Sequence, residues 1–193
     1  LRYVIFDLEA TCWRRRKPPR QETIELGAVM VDEYGQRMSE FSEFIKPKLN
    51  PTLSSFCKEL TSIEQHHIDG AEDFQDVMWS FEDWLKPNEG DYLLASWGDY
   101  DKQQLLRDGE LHEIELPWLN HFLCLKMSHS KLLKLKEPVG VKTALEYTGL
   151  TFDGTSHRAI DDARNTARIL EEMFGDWTPL LDIQRRQLLR KLG

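Results

Sequence analysis

The first strand-length run of the sequence constrains the fold more than any other feature. Tyr3 to Leu8 is almost wholly apolar and is closed by the pair Asp7-x-Glu9. A continuous run of this length fits a central strand buried on both faces. Side chains two apart on a strand share a face, so both carboxylates leave the rim of the sheet in the same direction. In so acidic a chain about one D-x-E pair is expected by chance. Two acids closing a buried apolar strand, however, repel each other unless a cation intervenes. Taken alone, the pair leaves metal binding and coincidence both open.

The remaining pattern supplies partners for that strand. Ile24 to Val31 is a second strand-like run, and Asp32-Glu33-Tyr34-Gly35 offers turn residues before a third, Phe41 to Ile45; the two form a hairpin. Pro47 to Ala71 is polar and broken. Phe74, Val77, Met78, Phe81, Trp84 and Leu85 recur at helical spacing. Tyr92 to Trp97 reads as a fourth strand, followed at once by a short helix holding Gln103 to Arg107, and Phe122 to Leu125 reads as a fifth strand. Pro138 ahead of Val141, Ala144, Leu145 and Thr148 predicts a helix with proline in its first turn. The strongest helical pattern runs from Ala159 to Met173, and Leu180 to Leu192 fits one more. No repeat, low-complexity tract or linker divides the 193 residues, so one domain over 1–193 is expected. A hairpin followed by alternating strands and helices predicts an α/β fold with a mixed sheet of about five strands flanked by helices.

Composition narrows the classes of function. Thirty-three acidic residues against 25 basic ones leave a net charge of −8. That argues against coating nucleic acid with bulk positive charge, but not against reaching phosphates through cations held by carboxylates. No stretch approaches the roughly 20 apolar residues of a membrane span, and the first residues carry no signal-peptide pattern. Cys12, Cys57 and Cys124 include no C-x-x-C pair and fit neither a disulfide frame nor a zinc site. A reducing, cytoplasmic setting is expected.

Two later segments add acids at positions where α/β sheets place their sites. Trp97-Gly98-Asp99-Tyr100-Asp101 follows the fourth strand and opens a helix. Asp99 and Asp101 fit helix-start chemistry as an N-cap and a first-turn acid. Asp101 equally fits a third site carboxylate at the end of a neighbouring strand. In His157-Arg158-Ala159-Ile160-Asp161-Asp162, the residues Ile160, Ala163, Ala167 and Leu170 make the buried stripe of a helix. Arg158, Asp161, Asn165 and Arg168 fall on one polar line, which turns Asp161 to water. Asp162 instead shares its flank with Ala159, Ala163 and Thr166, small side chains that admit a close neighbour. His157, just before the helix, is placed either as a surface or capping residue or as a group that swings over a neighbouring site. Four carboxylates and a histidine therefore gather at strand ends and a helix start. Oxygen-only ligands suit Mg²⁺ or Mn²⁺, and two such ions can hold a phosphodiester and activate water, with imidazole as a natural general base.

These residues resemble the DEDDh 3′→5′ exonucleases, which have the RNase H-like fold. The resemblance rests on Asp7-Leu8-Glu9-Ala10-Thr11, on Asp101 after Trp97-Gly98, and on His157 five residues before Asp162. Phe56-Cys57-Lys58-Glu59-Leu60-Thr61-Ser62-Ile63-Glu64-Gln65 and Ile160 to Ile169 are similar to the Eri-type and KapD-like subgroup, which includes the histone-mRNA 3′-end exonuclease. The likeness implies that Asp7, Glu9, Asp101 and Asp162 hold two Mg²⁺ ions (or Mn²⁺) and that His157 deprotonates the attacking water. It implies that Thr11 and the backbone beside Leu8 to Ala10 meet the terminal sugar, and that Phe56 and Tyr100 stack the last base. For these two aromatics, ordinary core packing is the alternative. The expected partners are single-stranded RNA or DNA 3′ ends, with RNA preferred. A basic loop, Arg14-Arg15-Arg16-Lys17 with Arg20, departs from the resemblance and reads either as a phosphate funnel or as an exposed loop. Lys131, Lys134 and Lys136 likewise fit substrate contact or a solvated face. Two rivals stay open: a DNA-directed proofreading or repair exonuclease, and a regulatory protein-binding module on the same fold.

Overall fold

The computed structural model describes residues 1–15, 19–85 and 92–177. The helix expected over Leu180 to Leu192, and Arg16 and Lys17 of the basic loop, lie outside them. The first strand, β1 (Arg2–Ala10), pairs antiparallel with β2 (Thr23–Val31), which turns at Asp32 into antiparallel β3 (Arg37–Lys46). Asp32 Oδ1 accepts the amides of Tyr34 and Gln36, and Gly35 takes the left-handed φ of 82° that closes the turn. On its other edge β1 pairs in parallel with β5 (Tyr92–Ser96), and β5 in parallel with β6 (Phe122–Cys124). A two-residue strand, β4 (Glu72–Asp73), adds to β3, so the order is β4-β3-β2-β1-β5-β6. The sheet thus holds six strands rather than about five. The extra one is too short to leave a periodic signal.

Strand alternation divides the core. Tyr3 and Ile5 of β1, with Val29 and Val31 of β2, bury against α7 (Ala159–Glu172) and α6 (Val141–Tyr147). Val4, Phe6 and Leu8, with Leu26, Ala28 and Met30, bury on the opposite face against α3 (Phe74–Leu85) and α4 (Tyr100–His112). A smaller cluster of Ile24, Leu53, Cys57, Ile63 and Ile68 lies under α1 (Ser55–Thr61) and α2 (Gln65–Asp69). These two short helices occupy the segment that reads as polar and broken, because five to seven residues show no helical stripe. A further helix, α5 (Leu125–Leu132), follows β6 directly where the sequence reads only the strand. Pro138 precedes the N-cap Gly140, so the proline stops short of α6 instead of sitting in its first turn. Among the described residues no helix is long and apolar enough to cross a membrane.

One contact sets the spacing between α7 and the sheet. A Cβ placed on Gly27 would lie 2.2 Å from the Ile160 amide nitrogen and 2.4 Å from the Ala159 carbonyl carbon. The first turn of α7 therefore rests on the bare backbone of β2, directly across from Asp7, which pairs with Gly27 in register. Both atoms met are backbone and cannot rotate away. Gly27→Ala should cost at least about 3 kcal/mol. A urea unfolding midpoint within experimental error of wild type would refute this reading of the contact.

Candidate active site

Alternation carries the β1 pattern onward past the core. Asp7 and Glu9 continue the face of Tyr3 and Ile5, so both project toward α7. On β2 the same face presents Gly27 and Glu25, paired in register with Asp7 and Glu9. The approach permitted by Gly27 lowers the first turn of α7, and with it Asp162, onto the two strand carboxylates. Asp7, Glu9 and Asp162 each offer an oxygen within 4.8 Å of the others, and each keeps part of its surface accessible.

Several bonds fix the start of α7. Glu25, fully buried, accepts the Arg158 guanidinium at 2.9 Å and the Ala159 amide at 2.9 Å. One oxygen of Asp162 accepts the backbone amide of His157 at 2.7 Å. His157 holds a left-handed φ of 63°, uncommon for a residue with a Cβ, and its side chain is exposed beside Asp162. The polar line of α7 behaves differently from the sequence expectation. Asn165 is buried, its amide donating to the Asp153 and Asp161 carbonyls, and Asp161 accepts Thr155 and Arg164. That line holds down the loop before the helix, so Asp161 is mostly covered instead of facing water.

Asp101 enters from the neighbouring strand. The β1–β5 pairing ends at Ile5 with Ala95, and α4 begins a few residues later with Tyr100. Asp99 occupies the N-cap position but its side chain makes no capping bond, so half of the helix-start reading fails. Asp101 is buried, and its carboxylate takes up the Leu8 amide that the end of the pairing leaves free. Burial pushes it up to about 6, against relief from Ser96 and from the Asp101 and Leu8 amides. Burial also raises Asp7 well above the usual carboxylate range, reinforced by Asp101, Asp162 and Glu9. Glu9 is pushed up to about 8 by burial and then by Asp162 and Glu25, and Asp162 is raised by burial as well. The four acids thus lie in one electrostatic field, although only three reach a common ligand distance. An all-oxygen, mutually repelling set of this kind fits a hard divalent cation, whose charge would relieve the repulsion.

The remaining predicted residues line the approach. Ala10 follows a register shift at the end of β1, and its carbonyl meets the Cys57 thiol at 3.7 Å. Thr11 is buried, its hydroxyl accepting the Glu22 amide at 3.0 Å. Phe56, on α1, is half-buried and lies in none of the three apolar clusters, with the Arg14 guanidinium 5.1 Å above its ring. Tyr100 is 45% exposed and its hydroxyl reaches Gln21 at 3.3 Å. Neither aromatic is a core residue.

With this geometry in place, similarity to known proteins decides the family. The RNase T family model, described as an exonuclease, matches residues 4–170. The chain belongs to this exonuclease family. It is 30% identical over 195 residues to ERI1 exoribonuclease 2 of Xenopus laevis, covering 90% of this chain but 28% of that protein. It is 30% identical to 3′-5′ exoribonuclease 1 of Homo sapiens, covering 89% of this chain and 52% of the relative. It is 31% identical to the 3′-5′ exonuclease Snipper of Drosophila melanogaster, with 90% and 70% covered. The chain therefore spans only about a quarter to a half of the ERI1 exoribonuclease 2 and exoribonuclease 1 relatives. Among solved structures, the nuclease domain of 3′hExo, a DEDDh family member bound to rAMP, superposes with a TM-score of 0.85 at 29% identity, covering 91% of this chain and 92% of that one.

Some residues of this exonuclease-family site escape the sequence reading. Glu25 and Gly27 both lie inside the second strand run; an acid in a buried strand was the available signal for Glu25. Asp108 is another, accepting the Thr23 amide at 2.9 Å and hydroxyl at 2.6 Å and tying α4 to the start of β2. Glu22 caps the amides of Leu49 and Asn50. The raised acids also give a signed pH dependence. Between about 4.5 and about 8, folded Glu9 keeps a proton that the unfolded chain has lost. Stability of the cation-free protein should therefore fall as pH rises through that window, and the loss is complete above it. Thermal melts in EDTA from pH 5 to 8.5 should show this decline, and Glu9→Gln should make it shallower, the remainder coming from Asp7, Asp101 and Asp162. A melting temperature that stays level in wild type, or an equally steep decline in the variant, would exclude Glu9 as its source.

Proposed function

We propose that this chain is a divalent-metal-dependent 3′→5′ exonuclease that removes nucleoside 5′-monophosphates from single-stranded 3′ ends, with RNA preferred over DNA. The convergence of Asp7, Glu9 and Asp162 on one point, with Asp101 in the same field, carries this reading. The exoribonuclease names of the relatives support RNA as the substrate class. We take 1–193 as one exonuclease domain and its setting as cytoplasmic.

Asp7, Glu9 and Asp162 would hold the cations, two Mg²⁺ or Mn²⁺ ions, with Asp101 completing the set. Bound there, the cations would supply charge to the scissile phosphate and its leaving oxygen and acidify a water. His157 accepts the proton of the attacking water. Its backbone bond to Asp162 holds His157 next to that carboxylate, and its side chain is exposed there. Water adds to phosphorus and the P–O3′ bond breaks; the removed nucleotide keeps the 5′-phosphate, and the O3′ of the shortened strand takes a proton from solvent and leaves as a 3′-hydroxyl. The backbone at Ala10 and Thr11 faces the terminal sugar, and Phe56 and Tyr100 offer ring faces to the last base, a contact every base can make.

A 5′-labelled single-stranded RNA and its DNA twin, each with Mg²⁺, Mn²⁺ or EDTA, test the proposal. We expect a cation-dependent ladder that shortens from the 3′ end, faster on RNA, and blocked by a 3′-phosphate. Asp7→Asn and Asp162→Asn should abolish it with the fold retained. His157→Ala should lower kcat by about 10²–10⁴-fold. Faster DNA cleavage would transfer the assignment to a DNA-directed enzyme, and no cleavage with either cation would favour a binding module.

A further inference from the structure

Net charge −8 and a cluster of four acids oppose a polyanionic strand as it nears the site. The connection from β1 to β2 carries the opposite sign. Arg14 and Arg15 are exposed on it, and Arg20 follows. Among the described residues none of the three pairs with a carboxylate, whereas Arg37, Arg158 and Arg164 all do. Their support is aromatic or backbone: Arg14 lies 5.1 Å over Phe56, Arg15 5.9 Å over Trp13, and Arg20 donates to the Arg107 carbonyl. Arg107 itself lies 5.8 Å over Tyr100. A guanidinium laid on a ring keeps its charge and an N–H edge free to donate to a phosphate.

The connection is tied to both sides of the carboxylate cluster. Ser54 donates to the Cys12 carbonyl at 2.6 Å and accepts the Cys57 amide, fixing one side to α1 beside Phe56. Gln21 fixes the other: it donates to the Thr11 carbonyl at 3.1 Å, accepts Tyr100, and its own carbonyl accepts Gln104 of α4. Two of the three arginine–aromatic pairs therefore stand at the two flanks of the site, on Phe56 and on Tyr100, which precedes Asp101, and the third, Arg15 on Trp13, lies beside Arg14 on the same connection.

We propose that Arg14, Arg15 and Arg107 form a phosphate rail, which holds the phosphodiester backbone of a single strand upstream of the nucleotide seated at the carboxylates. The rail rests on the nuclease reading for its direction but not for its existence. It binds charge and spacing, so it is indifferent to sequence. It gives a local route for a polyanion in an acidic protein, which bulk charge does not.

Binding without cleavage tests it. A 5′-fluorescein-labelled ten-nucleotide single-stranded RNA and a labelled dinucleotide are titrated in EDTA, by anisotropy, over a series of KCl concentrations. Wild type and the Arg14→Gln/Arg15→Gln double variant run together. The variant should lose about 1.4 from the slope of log affinity against log salt, about 0.7 for each phosphate released. Its loss of affinity should be about tenfold for the ten-nucleotide strand at low salt and much smaller for the dinucleotide. An unchanged slope, an equal loss on both ligands, or no binding of the longer strand by wild type would overturn the rail. A protein that shows the slope change yet cleaves nothing would sink the nuclease reading and keep the rail. Cleavage with an unchanged slope would do the reverse.

Discussion

The close approach of α7 to β2 at Gly27 is the constraint on which the rest of the site depends. A helix is normally held off the sheet it covers by side chains from both. Here one residue without a Cβ removes that layer under the first turn of α7, and the helix start descends onto backbone. Glu25, two residues earlier on the same face, then fastens that turn through the Ala159 amide and the Arg158 guanidinium. Two neighbouring positions on β2 thus control the height and the rotation of the helix, and so decide where Asp162 stands over Asp7 and Glu9.

The acids gathered by this approach repel each other, and the surrounding structure is what keeps them together. Asp7 and Glu9 belong to a strand paired with β2 along its whole length and with β5 as far as Ile5, and buried on both faces before them, so they cannot splay apart without disturbing the sheet. Asp101 is fixed by a helix, Asp162 by the His157 amide. Repulsion in so stiff a frame is relieved by protons or by cations, not by movement. The raised positions of Asp7, Glu9, Asp101 and Asp162 express this, and they make the site receptive to positive charge before any substrate arrives.

Much of this could be read in the sequence where side-chain period alone decides. The period of two placed Asp7 and Glu9 on one face, and the helical stripe of Ile160, Ala163, Ala167 and Leu170 is buried as expected. Small neighbours singled out Asp162 as an acid with close company. Period says nothing about what covers a polar face, so Asp161 reads as solvent-facing although the preceding loop lies over it and over Asn165 on the same line. It also cannot identify Gly27, because the need for a missing Cβ arises only when a helix from 130 residues further on arrives. The short helices α1 and α2 failed for want of length, and Asp99, although it is the N-cap of α4, has helical rather than extended backbone angles and makes no side-chain capping bond.

The two charge patterns near the site carry different information. Carboxylates packed by rigid elements create a local need for positive charge, and that need is met at a point. Guanidinium groups supported by rings on the flanks spread positive charge along a path, and none of Arg14, Arg15 or Arg20 is neutralised by an acid among the described residues. A protein relying on bulk basicity would attract strands over its whole surface and gain no direction from doing so. In an acidic protein the attraction survives only where unpaired arginines stand within about a Debye length of the strand, about 10 Å at 0.1 M salt. On the proposed rail, the placement of these arginines, more than the number of basic residues, would direct a polyanion toward the group of four acids.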